Sequence, residues 1–161
     1  MKLIRASQDQ FRFELSQEEK NLLNILQLYP LVPAAHHRLS KGRQIPNREE
    51  NQQLLEESMK AQREENRKKV VALLNEPKRF TECAAGYRTK FTRGEIEWLL
   101  QVLNDIRVGC WLALGSPDEH PEMKKGMSNQ TMSQIATMEI AAFFEMDFLH
   151  AVSGNLQPGH E

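Results

Sequence analysis

Apolar and polar positions change their period several times along this chain, and each change predicts an element. Phe11, Phe13 and Leu15 alternate with Arg12 and Glu14, the period of two that puts an apolar trio on one face of a strand. Lys2–Ala6 precedes it across Ser7-Gln8-Asp9-Gln10, a polar loop of hairpin length. Residues 1–15 therefore read as a β-hairpin. A lone hairpin is marginal in water, so its apolar face must rest on helices.

The period then lengthens. Ser16-Gln17-Glu18-Glu19 is a capping box, with a hydroxyl for the Glu19 N–H and a carboxylate to reach back to Ser16. A helix over 16–30 follows, carrying Leu22, Leu23, Ile25, Leu26 and Tyr29 until Pro30 stops it. Residues 34–46 read as a loop. Asn47 with Glu50 signals a second cap, and a helix over 47–75 ends before Pro77. Its two ends are apolar, while Lys60–Lys69 is almost wholly polar. Three Glu-first i,i+4 pairs, Glu56/Lys60, Glu64/Lys68 and Glu65/Lys69, suit a solvated centre with docked ends.

Residues 77–91 read as irregular and basic. Thr92-Arg93-Gly94-Glu95 is another capping box. The 92–114 helix behind it is apolar on much of its circumference, which predicts a central, buried helix. A loop over 116–127 leads to a last helix over 128–152, with Met132, Ile135, Ala136, Ile140, Phe143, Met146 and Leu149 expected inward. Gly154, Pro158 and Gly159 mark 153–161 as a frayed, flexible tail. The expected architecture for residues 1–161 is one mainly α domain: an irregular bundle of about four main helices with a short N-terminal β-hairpin packed on it.

The order of these features resembles a bacterial domain-of-unknown-function family (number twenty-seventeen), found mainly in actinobacteria. The most specific part is Trp98-Leu99-Leu100-Gln101-Val102-Leu103-Asn104-Asp105-Ile106-Arg107. The helix from Ser128 departs from the family, opening on Ser, Met and Thr where Tyr and Trp are expected. The resemblance implies the same helical fold and supplies no activity.

Composition narrows the function classes. Net charge is −1, so the whole molecule has no strong field toward nucleic acid or membrane. No apolar run reaches the ~18 residues of a membrane span, and the N-terminus lacks a signal-peptide core. Cys83 and Cys110 have no motif spacing and read as reduced structural thiols. These features point to the cytoplasm.

Candidate chemistry is sparse. Arg107 falls on the stripe of Leu100, Leu103, Cys110 and Leu114, and Asp105 falls with Trp98, Val102 and Gly109. Buried charges need partners. Glu139, also on an expected inward face, is a candidate partner. The cluster is either a polar pocket, or Arg107 ties a loop or a carboxylate into the core, and the tie is favoured. Lys78, Arg79, Arg88, Lys90 and Arg93 interleave with Phe80, Tyr87 and Phe91. That mixture suits single-stranded nucleic acid, but neutral charge and the lack of a recognised motif argue against it. Metal chemistry in a bundle needs paired Glu-x-x-His motifs. Only Asp147-Phe148-Leu149-His150 and the loop pair His36-His37 occur, and both read as surface. No nucleophile signature or phosphate loop is present.

The reading is therefore a non-enzymatic protein-binding module of regulatory or adaptor type, without metal or cofactor. A nucleic-acid-binding regulator using 78–93 is the alternative. The final helix holds Glu139, Glu145 and Asp147 and no Lys or Arg. Charge-driven docking onto the basic segment of a second copy would make a homo-oligomer.

Overall fold

The computed structural model describes residues 1–37, 46–116 and 128–154. Strands β1 (Lys2–Ala6) and β2 (Gln10–Leu15) form the expected hairpin. The sheet does not stop there. Residues 77–91, expected to be irregular, contain β3 (Thr81–Cys83) and β4 (Gly86–Thr92). The four strands pair antiparallel in the order β1-β2-β4-β3. Phe11 faces Phe91, Phe13 faces Thr89 and Leu15 faces Tyr87. Tyr87 and Phe91 of the basic segment are thus on the inward half of a strand alternation. Gly86 turns β3 into β4 at φ +123°, and a Cβ there would meet Leu15 O at 2.4 Å.

Four α-helices complete the fold. Ser16 and Glu19 form the expected capping box on α1 (Gln17–Leu22). The predicted single helix over 16–30 is shorter, because the chain tightens into a 3₁₀ run, Leu23–Leu28, before Tyr29 and Pro30. The Tyr29–Pro30 peptide bond is cis. A second 3₁₀ turn spans Ala34–His37. Helix α2 is Arg48–Asn75, but Asn47 sits in the left-handed region and its side chain caps nothing. Helix α3 is Arg93–Ala113, with the Thr92/Glu95 capping box formed. Helix α4 is Asn129–Ser153, and Ser128 caps it by accepting from Thr131 N. The 116–127 loop beyond Ser116 and the tail beyond Gly154 lie outside the described residues.

The inner face of the sheet packs on α3 and α4. Phe148 of α4 meets Phe13 and Phe91 edge-on, at centroid distances of 5.8 and 5.3 Å. Ile96, Leu99, Val102, Leu103 and Ile106 make α3 the buried centre, as its pattern predicts. Ala141, Phe144 and Ala151 of α4 and Val70 and Leu73 of α2 close the core. The molecule is mainly α with a four-stranded sheet. Among the described residues no helix is long and apolar enough to cross a membrane.

Two faces differ from expectation. On α2 the polar middle docks: Asn66 is buried, whereas Leu54, expected to anchor one end, is exposed. On α4 the expected inward face holds only in part: Ile135 and Ile140 are partly buried, and Ile140 packs on the core. Met138, Ala141, Phe144, Glu145, Phe148 and Ala151 are buried. Met132, Phe143, Met146 and Leu149 are 43, 42, 59 and 47% exposed. Two alanines and a glutamate disguise the true inward face.

Candidate functional site

Asp105 holds the segment after the 3₁₀ run. Its Oδ1 accepts from Leu31 N at 2.6 Å and from Val32 N at 3.2 Å. Arg63 of α2 completes the clamp, donating to Val32 O at 2.8 Å and lying 3.9 Å from Asp105 Oδ2. Charge-assisted bonds to backbone N–H groups are among the stronger protein hydrogen bonds. One turn further along α3, Gly109 lets the strap press in. A Cβ there would lie 2.3 Å from Leu31 Cβ and 2.8 Å from Leu31 C.

Tyr29 begins the strap and is buried beside Asn66. Burial raises the Tyr29 hydroxyl pKa, against a hydrogen bond from Asn66. Gln62 in turn donates to Asn66 Oδ1 at 3.1 Å. These groups border a cleft of about 380 Å³, with Gln101, Asn104 and Val108 on its α3 side. Of its polar lining, Arg63 and Asp105 are committed to the strap, and Asp105, not Arg107, is the tie that holds a loop.

Arg107 is placed differently from the expected inward position. Its side chain is 45% exposed, against 15% for Asp105. Its partner is Glu145, at 3.2 Å, and not Glu139, which is exposed. Burial raises the Glu145 carboxyl, and Arg107 offsets this only in part. Arg107 also donates to Asn104 Oδ1 at 3.3 Å. The residue that sequence reasoning missed here is Gly109. Its signal was a glycine inside the strongest helix of the chain, which costs ~1 kcal/mol without a packing reason.

The basic segment splits in two. Arg79 is structural: it pairs with Glu95, meets Glu76 at 2.7 Å, donates to Lys90 O at 2.6 Å and lies over the Phe91 ring. Burial alone would raise the Glu95 carboxyl. Hydrogen bonds from Arg79 and Thr92 outweigh that and hold it below the ordinary range. Arg88 and Lys90 stand on the solvent face of β4, where Glu14 takes Arg88 at 2.8 Å. Phe91 is buried, Phe80 packs on the core, and Tyr87 lies under the Lys20 ammonium, 3.9 Å from its ring centre. None of these rings is offered to a base for stacking.

The acids of α4 are likewise engaged. Glu145 takes Arg107, and Asp147 lies 2.9 Å from the Met1 amino group. Two of the three charges invoked for head-to-tail docking are thus neutralised inside the fold. Among the described residues no group of three or more His, Cys, Asp or Glu is arranged to hold a metal ion.

Among the described residues, the outer face of α4 is left exposed. Met132, Ala136, Phe143 and Met146 recur at helical spacing along it, interrupted by Glu139 and bordered by Leu149. Comparison of the chain with family models, curated proteins and solved structures returned no match.

Proposed function

We propose that this protein is a non-enzymatic, protein-binding module of regulatory or adaptor type, and that the outer face of α4 is where it binds. The exposed Met132/Phe143/Met146/Leu149 surface carries the reading. Contiguous exposed apolar side chains mark interaction sites. Methionine suits them because its flexible thioether adapts to a partner's shape. The occupant is an amphipathic helix of another protein, laid along α4 with its apolar anchors on Phe143 and Met146. Helix α4 has acids and no Lys or Arg, so basic residues flanking the partner's stripe fit best.

The chain works in the cytoplasm in this reading, where Cys83 and Cys110 stay free thiols. Its run from Trp98 to Arg107 is what supports the resemblance to the bacterial family in this reading. The nucleic-acid alternative loses its aromatic platform, because Phe80 and Phe91 serve the core and Tyr87 is covered by Lys20.

A photo-crosslinking amino acid in place of Met146, in cells of the native host, tests the proposal. The expected result is one heterologous protein cross-linked through a helical, apolar segment, with no such product when the probe replaces Lys68 on α2. Cross-links only to a second copy of this chain, or none, would overturn it.

A further inference from the structure

Three cations form a row across the solvent face of the sheet. Arg5, Arg12 and Lys90 are direct cross-strand partners on β1, β2 and β4. All three are exposed, while Phe11, Phe13 and Phe91 between them point to the core. Strands lie ~4.8 Å apart, so three positive charges stand within about 10 Å. Like charges directly opposite each other destabilise a sheet.

The neighbouring row has a remedy. Glu14 stands between Lys2 and Arg88 and pairs with Arg88. The Arg5–Arg12–Lys90 row has none: among the described residues no acid pairs with any of the three.

The row borders a hollow. Strand β3 begins at Thr81, opposite Arg88, so the far half of β4 has no strand beside it. The 76–80 turn passes there instead and brings Lys78 in, at a left-handed φ of 66°. A lysine in that region is uncommon, since glycine or asparagine adopts it at lower cost. Arg12, Lys78 and Lys90 line a hollow of about 320 Å³, together with Arg88, which Glu14 pairs, and Glu76, which Arg79 pairs. Arg79 also lines it, but Glu76 and Glu95 hold its charge.

We propose that this hollow binds a compact anion carrying two or more phosphate groups. Arginine supplies a planar fork and lysine a point charge, and both suit phosphate oxygens. Three features favour a compact ligand over a long strand. The hollow is bounded, no ring on this face is free to stack a base, and the chain's near-zero net charge gives no extended field. This inference stands apart from the α4 proposal and does not depend on it.

Calorimetric titration of the full chain with inorganic pyrophosphate at low salt tests it. Pyrophosphate should bind at least about tenfold more tightly than orthophosphate, because its second phosphate can reach Lys78 on the turn while the first meets Arg12 and Lys90 on the sheet. The Arg12→Gln/Lys90→Gln double variant should weaken pyrophosphate by about tenfold or more. Its thermal midpoint should be unchanged or higher, since the substitution relieves repulsion. Lys68→Gln, on the exposed side of α2, should bind as wild type. Absence of pyrophosphate binding would overturn the proposal, as would full affinity in the double variant. A single-stranded oligonucleotide binding far more tightly than pyrophosphate, with a steep salt dependence, would also overturn it and make the face a nucleic-acid surface.

Discussion

Asp105 and Arg107 are two residues apart on α3 and do opposite work. Asp105 is mostly buried, and its Oδ1 takes both N–H groups of the strap at residues 31 and 32 while its Oδ2 faces Arg63. Asp105→Ala removes two charge-assisted bonds and leaves the part-buried Val32 N–H without its acceptor, so it should cost about 2–3 kcal/mol. Arg107 is a rim residue, and Arg107→Ala should cost at most ~1 kcal/mol. Urea unfolding of both variants checks this, and equal costs would contradict it. Glu95 gives a pH test. Its folded-state pKa lies below the ordinary carboxylate value. Its contribution is therefore present above that value and lost as pH falls through the folded value. Glu95→Gln should destabilise at neutral pH by about 2 kcal/mol, as cap and ion pair are both broken. The gap to wild type should close as both are acidified below about pH 4. A gap that stays constant with pH would show that its charge contributes nothing.

The elements differ in how plainly the chain announces them. The capping boxes at Ser16 and Thr92 were legible, because one short motif fixes both halves of the bond. So was the buried centre of α3, where apolar side chains leave no other face to choose. Strand β4 was written in the sequence as Tyr87, Thr89 and Phe91 alternating with Arg88 and Lys90. Its basic charges drew the reading toward a binding loop instead. On α4 apolar residues lie all round, so periodicity did not select a face; Ala141, Ala151 and Glu145 mark the buried side. The middle of α2 reads as solvated, yet Arg63 and Asn66 dock, because what they meet is the backbone of the strap. That meeting depends on a contact distant in sequence, which no local pattern encodes. Gly109 sits at the same crossing. Gly109→Ala should gain ~1 kcal/mol of helix propensity. It should lose more by overpacking Leu31, for a net cost of about 1–2 kcal/mol. Thermal unfolding checks the sign, and a stabilised variant would show that the strap yields.

At the scale of the whole molecule, the sheet and α4 back onto each other. Phe148 fills the interface between them. The cation row therefore looks out on one side, and the Met/Phe face of α4 looks out on the other. Both are exposed, and neither is needed to close the core. The candidate sites read from the sequence lie mostly between these faces, where Asp105 and Arg79 hold the fold together. Legibility failed for the outer face of α4 for the physical reason that also makes it interesting. An apolar residue on a helix is expected inward, and only the packed structure shows which ones have no core to enter.

The binding claim for that face is tested most directly by one titration. The protein cross-linked through position 146 is measured against wild type and against the Phe143→Ser/Met146→Ser variant. The account predicts a loss of affinity of about tenfold or more, with the variant as stable as wild type to within ~0.5 kcal/mol, as expected for exposed positions. Unchanged affinity in a stable variant would contradict it.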